Sequence, residues 1–136
     1  MSKVIGIDMG SARVGIALSD PSRSLASGYG FLKFTSYKEL VENLLTIAGK
    51  EGVGEYVIGL PLNMNGSRGF MVNKAEKLAD MLKEQTKHPI NFIDERLTTV
   101  EAARQIHSSG RKVQKGRIDE VAATIILQAF LDGKKS

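Results

Sequence analysis

Lys3-Val4-Ile5-Gly6-Ile7-Asp8-Met9-Gly10-Ser11-Ala12-Arg13-Val14-Gly15-Ile16-Ala17-Leu18-Ser19 reads as two strands around a tight turn. Residues 3–8 are apolar and β-branched, Gly10-Ser11 is turn chemistry, and residues 13–19 resume the strand pattern until Asp20-Pro21 ends it. The stretch predicts an antiparallel hairpin with one carboxylate, Asp8, near the end of its first strand. Gly6 and Gly10 flank that acid and let another group approach the backbone closely.

Working outward, a third strand is expected within residues 25–34, blurred by Gly28 and Gly30. Ser36 and Glu39 have capping-box spacing, and Leu40, Val41, Leu44, Leu45 and Ala48 then repeat at helical spacing. Residues 55–60 read as a short buried strand, 61–69 as a loop rich in Asn, Gly and Ser, 70–87 as a helix and 89–94 as another strand. Thr98 and Glu101 repeat the capping-box spacing, so a helix is expected from there to residue 107. Residues 108–116 read as a mobile basic loop, 118–131 as a last helix that is apolar nearly all round and hence buried, and 134–136 as a frayed tail. The order β-β-β-α-β-α-β-α-α predicts an α/β fold: a meander followed by crossovers, giving a mixed sheet with helices on its faces. Residues 1–136 carry no repeat or linker and are expected to form one domain.

Composition narrows the function classes. Hydrophobic residues at 42% and charged residues at 25% suit a soluble globular chain. No apolar run approaches the roughly 20 residues that span a bilayer, and the start has no signal-peptide layout. The absence of cysteine excludes disulfides and thiolate metal sites and agrees with a cytoplasmic protein. A net charge of +4 fits a polyanionic partner such as nucleic acid. With no Trp and few aromatics, an extended base-stacking surface is not expected.

Three acidic motifs carry the chemistry: Asp8, the pair Asp94-Glu95, and Asp119 with Glu120. Gathered together they would repel, a penalty that a divalent cation removes. Adjacent strand residues face opposite ways, so at most one of Asp94 and Glu95 is expected to join Asp8. Glu95 is longer and lies just past the strand; Asp94 is then the candidate for capping or for pairing with Arg96. Asp119 is expected in the first turn of the last helix, where the small residues Ala122 and Ala123 let the helix sit close to the sheet. Arg111, Lys112, Lys115 and Arg117 lead into that acid and suit contact with a phosphate backbone. Arg13, Arg68 and Arg96 are further candidate contacts, and Asn63 sits in a loop whose amides and hydroxyls suit phosphates or sugars. His88 and His107 are assigned no role.

Asp8-Met9-Gly10 with Arg13-Val14-Gly15-Ile16-Ala17, then Gly59-Leu60-Pro61-Leu62-Asn63, Asp94-Glu95-Arg96-Leu97-Thr98-Thr99 and Asp119-Glu120-Val121-Ala122-Ala123, closely resemble the YqgF family over nearly the whole chain. That family belongs to the ribonuclease H-like superfamily and relates distantly to bacterial Holliday-junction resolvases. The resemblance implies a five-stranded mixed sheet of order 3-2-1-4-5. It also implies a nuclease using Mg2+ or Mn2+, as two ions, with Asp8, Glu95 and Asp119 as catalytic and metal-binding acids. The implied partner is nucleic acid, with pre-16S ribosomal RNA at its 5′ end favoured and branched DNA the alternative. A ribosomal particle is a further implied partner, and the protein is expected as a monomer or weak homodimer away from membranes. Junction resolvases carry a second Asp three residues after the first on the last helix; here that residue is Ala122, which weakens the junction reading. Two other classes compete. One is a non-catalytic RNA-binding factor. The other is a nucleotide-binding module, since Asp8-Met9-Gly10 followed by Gly15 is similar to the first phosphate loop of actin-like ATPases; those clamp ATP between two such domains, and this length supplies one.

Overall fold

The computed structural model describes residues 2–108 and 115–134. A five-stranded sheet is formed by β1 (Lys3–Met9), β2 (Arg13–Ser19), β3 (Ala26–Lys33), β4 (Val53–Leu60) and β5 (Ile90–Asp94). Its order is β3-β2-β1-β4-β5, as the family resemblance implied. β1, β2 and β3 pair antiparallel, whereas β4 runs parallel to both β1 and β5. The helices are α1 (Tyr37–Glu51), α2 (Phe70–Gln85), α3 (Val100–Ser108) and α4 (Lys115–Lys134), with a 3-10 turn at Glu95–Leu97 after β5. Among the described residues no helix is long and apolar enough to cross a membrane.

Strand parity sorts the side chains onto two faces. Ile5, Ile7 and Met9 of β1 pack with Leu40, Leu44, Leu78 and Leu82, the apolar stripes of α1 and α2. Val4, on the other face, packs with Ala123, Ile126 and Leu127 of α4 and with Val100 of α3. Asp8 shares its parity with Val4 and Gly6, so it faces α4. The α4 face is narrow because glycines floor it. A Cβ built on Gly6 would lie 2.6 Å from Leu127 Cβ, and one on Gly15 only 1.9 Å from the backbone oxygen of Asp119. That close approach carries the N-terminal part of α4 over β2, beside Asp8, which pairs with Gly15 across the hairpin.

The capping signals and the last helix can be compared with expectation one by one. Ser36 accepts a hydrogen bond from the Glu39 N–H at 3.2 Å, as its spacing predicts. The matching signal at Thr98 holds in part: its side-chain oxygen accepts the Val100 N–H at 3.2 Å, at the start of α3. Its hydroxyl donates to the Glu95 carbonyl at 2.8 Å and closes the 3-10 turn, while Glu101 turns to Arg104. The last helix begins at Lys115 rather than at residue 118, so Asp119 stands in its second turn and not its first. Gly116 is a poor helix former in isolation, but here it lies against the Phe31 ring, where a Cβ would come within 2.1 Å. Of the expected 108–116 loop, Ser108 belongs to α3 and residues 115–116 to α4, and 109–114 lie outside the described residues.

Candidate active site

Asp8, Glu95 and Asp119 line one open cavity of about 250 Å³, with Met9, Gly10, Arg13, Pro61 and Arg104 around them. Asp8 is only 3% exposed and Glu95 only 6%. The choice between Asp94 and Glu95 follows from β5. Ile93 packs on the α4 face, so Asp94 points the other way and Glu95, two residues after Ile93, returns to the α4 side. Gly59 makes room for it, since a Cβ there would lie 2.7 Å from Glu95 Oε2. Asp94 caps the 3-10 turn by accepting the Arg96 N–H at 2.9 Å, and it grips the Arg96 guanidinium at 2.6 Å. That guanidinium holds the Asp94 carboxyl below its usual pKa.

Each of the three acids is paired with an arginine. Arg104 Nη2 donates to Asp8 Oδ1 at 2.7 Å, and its Nη1 donates to Glu95 Oε1 at 3.1 Å and to Glu101 Oε1 at 2.9 Å. Arg13 Nε donates to Asp119 Oδ2 at 2.8 Å. Among the described residues, no three His, Cys, Asp or Glu side chains are grouped closely enough to hold a metal ion as they stand. The donor chemistry nonetheless suits a hard divalent cation: carboxylate oxygens without sulfur or imidazole. The guanidinium between Asp8 and Glu95 shows that these two carboxylates present their oxygens to a shared cation.

Burial sets the electrostatics. It raises the pKa of Asp8, against the lowering effect of Arg104. It raises Glu95 to about 7, helped by the neighbouring Asp8 charge and opposed by Arg104. Burial also works against the Arg104 charge, but the facing carboxylates outweigh it and raise its pKa. A carboxyl whose native pKa lies above its unfolded value keeps its proton longer in the folded state. Its contribution to stability is present below about pH 4.5 and is lost as pH rises towards 7. In chelator, wild-type stability is therefore expected to fall between pH 5 and pH 8 by at most about 3 kcal/mol from this group. Glu95→Gln should flatten that slope in urea melts; an unchanged slope would show that Glu95 is not the titrating group.

The other expected contacts are scattered. Arg13 lines the cavity. Arg68 pairs with Glu76, Arg96 with Asp94, and Asn63 Nδ2 donates to Ser67 Oγ within its own loop at 2.9 Å. Arg117 is exposed in the first turn of α4, which opens at Lys115. Arg111 and Lys112 lie outside the described residues. Ala122 is fully packed in the α4 core. The sequence reading missed Arg104, whose spacing from Glu101 looks like an ordinary surface pair on a helix. The available signal was charge balance, because buried acids at Asp8 and Glu95 need a cation within reach.

A family model described as RuvX, Holliday junction resolvase, matches residues 2–133. The chain belongs to the RuvX family. This is the YqgF group of the ribonuclease H-like superfamily, a class of nucleases that generally work with divalent metal ions. Among RuvX relatives, a "Putative pre-16S rRNA nuclease" of Caldanaerobacter subterraneus subsp. tengcongensis is 40% identical, covering 98% of this chain and 99% of the relative. The protein of the same name from Roseiflexus sp. is 41% identical, covering 98% and 96%. The fold is shared with T. thermophilus RuvC in complex with a Holliday junction substrate, at TM-score 0.61, 14% identity and coverage of 99% and 96%. Fowlpox virus resolvase has the same fold, at TM-score 0.57, 8% identity and coverage of 98% and 99%.

Proposed function

We propose that this RuvX protein is a single-domain, metal-dependent endonuclease that hydrolyses phosphodiester bonds in structured RNA, acting in 5′-end maturation of pre-16S ribosomal RNA. The observation that carries this reading is the convergence of Asp8, Glu95 and Asp119 from β1, the 3-10 turn and α4 on one cavity. Family membership supplies the nuclease class, and the relatives of about 40% identity supply the RNA. Asp8, Glu95 and Asp119 would hold magnesium or manganese through their carboxylate oxygens. Such ions activate water and stabilise the leaving oxygen. Arg13 holds the Asp119 carboxylate in the cavity, and the 3-10 turn closed by Thr98 fixes Glu95 at its rim. Arg117 and Lys115, with Arg111 and Lys112, provide positive charge for the phosphate backbone, and Asn63, Arg68 and Arg96 are further candidate contacts. A cytoplasmic site of action on a ribosomal particle, as a monomer or weak dimer, goes with this substrate.

A second reading, branched DNA as substrate, is favoured by the family's description. The buried Ala122 counts against it, since the resolvase pattern has an acid there. Symmetric cutting would also need a two-fold dimer. Both substrates should be tested side by side, end-labelled pre-16S RNA and a four-way DNA junction, with Mg2+, Mn2+ or chelator. Metal-dependent cutting of the RNA alone is expected. Cutting of the junction alone would replace the substrate, and tight binding with no cutting of either would favour a binding factor.

The basic start of α4 gives a separate expectation. Arg117→Gln should weaken nucleic-acid binding about equally on all sequences and reduce the slope of log affinity against log salt by about one. Fluorescence anisotropy across a salt series measures this; an unchanged slope would remove Arg117 from the backbone contacts.

A further inference from the structure

Arg104 has more partners in the site than any single role in folding requires. Its guanidinium meets Asp8 Oδ1 at 2.7 Å, Glu95 Oε1 at 3.1 Å and Glu101 Oε1 at 2.9 Å. The first two carboxylates are buried, so one positive charge serves two negative ones. The third, Glu101, is 73% exposed and lies on the same helix, one turn away. The Arg104 side chain is itself 29% exposed and lines the cavity. Its helix is lightly held: between residues 100 and 105 only Val100 is buried. A long, part-exposed side chain on a helix outside the sheet, with an exposed carboxylate already in contact, can leave without disturbing the sheet.

We infer that Arg104 is a resident counter-ion of the acid site, which holds Asp8 and Glu95 together in the metal-free protein and withdraws onto Glu101 when a divalent cation takes its place. This rests on the reading of Asp8, Glu95 and Asp119 as metal ligands. The guanidinium and the metal compete for the same two oxygens, Asp8 Oδ1 and Glu95 Oε1. Arg104 is then a positioning residue. It keeps the ligands pre-assembled and offsets their repulsion, and the competition lowers apparent metal affinity by the fraction of molecules in which Arg104 has withdrawn.

The two effects of removing Arg104 have opposite signs, which separates this role from a purely structural one. Calorimetric titration with Mn2+ and thermal melts in chelator would be run on the wild type, Arg104→Gln, Arg104→Lys and Asp8→Asn. Arg104→Gln should melt lower than the wild type in chelator, since it leaves two buried carboxylates without a cation. It should nevertheless bind Mn2+ about tenfold more tightly or better, as expected when the competent state rises from a tenth or less of the population. Arg104→Lys keeps the charge but loses the planar two-pronged grip, so its Mn2+ affinity should fall between those of the other two. It also supplies the answer if Arg104→Gln does not fold. Equal or weaker Mn2+ binding by Arg104→Gln, with wild-type binding lost in Asp8→Asn, would overturn the inference and leave the metal site intact. Arg104→Lys binding as weakly as the wild type would also overturn it, reducing the effect to bare charge. No Mn2+ binding by any of the four proteins would overturn the inference together with the metal-site reading beneath it.

Discussion

Asp8→Asn is expected to lower the cleavage rate by about a hundred- to a thousandfold or more, the scale on which one group stabilising transition-state charge counts. Nucleic-acid affinity should stay close to wild type, because the basic residues at the start of α4 are untouched. The substitution keeps the shape of Asp8 and a hydrogen-bond acceptor for Arg104 while removing a buried charge whose pKa burial has already raised. The metal-free variant should therefore melt no lower than the wild type. Single-turnover cleavage and anisotropy on the same RNA separate the two quantities. Full cleavage by Asp8→Asn would dissolve the assignment of Asp8 as the central acid.

Among the described glycines, Gly15→Ala should be the most damaging single added methyl. Its Cβ would stand 1.9 Å from the Asp119 backbone oxygen and 2.4 Å from the adjoining carbon. Neither atom can step aside alone; the whole start of α4 must lift from β2. Overpacking of this kind costs about 1–3 kcal/mol, occasionally more, and a clash with backbone belongs at the upper end. Lifting α4 also moves Asp119 away from Asp8, so cleavage should fall beyond what the lost stability explains. Gly49→Ala is the control, because nothing lies within 4 Å of a Cβ at that helical position in α1. That change should add about 0.5–1 kcal/mol of stability. Urea melts of both variants, with cleavage measured well below their midpoints, test the pair. A Gly15→Ala protein as stable and active as the wild type would mean that α4 does not need this contact.

The hairpin and the alternation of crossovers were legible because they depend on local pattern. β-branched runs, turn residues and the Ser36 cap act within a few residues of themselves. The family resemblance then supplied the sheet order. That at most one of Asp94 and Glu95 would join Asp8 was also legible, since it needs only strand parity and the end of β5. What escaped the sequence was set by distant contacts. Gly116 joins α4 because Phe31, on β3, gives it a surface to pack on, and this moves Asp119 out of the first turn. Thr98 donates its hydroxyl proton to the Glu95 carbonyl while accepting the Val100 N–H, and Glu101 pairs with Arg104 rather than turning back to complete the box. Arg104 is 96 residues from Asp8 in sequence, so its helical spacing to Glu101 was the only local clue, and a misleading one.

A crystal structure at saturating Mn2+, read by anomalous scattering, would locate the ions among the three acids. The predicted result is manganese in the cavity held by Asp8, Glu95 and Asp119, with the Arg104 guanidinium no longer between Asp8 and Glu95. Protein that cuts its substrate in Mn2+ but shows no manganese at these acids, with Arg104 still bridging them, would contradict the account and place the chemistry elsewhere on the molecule.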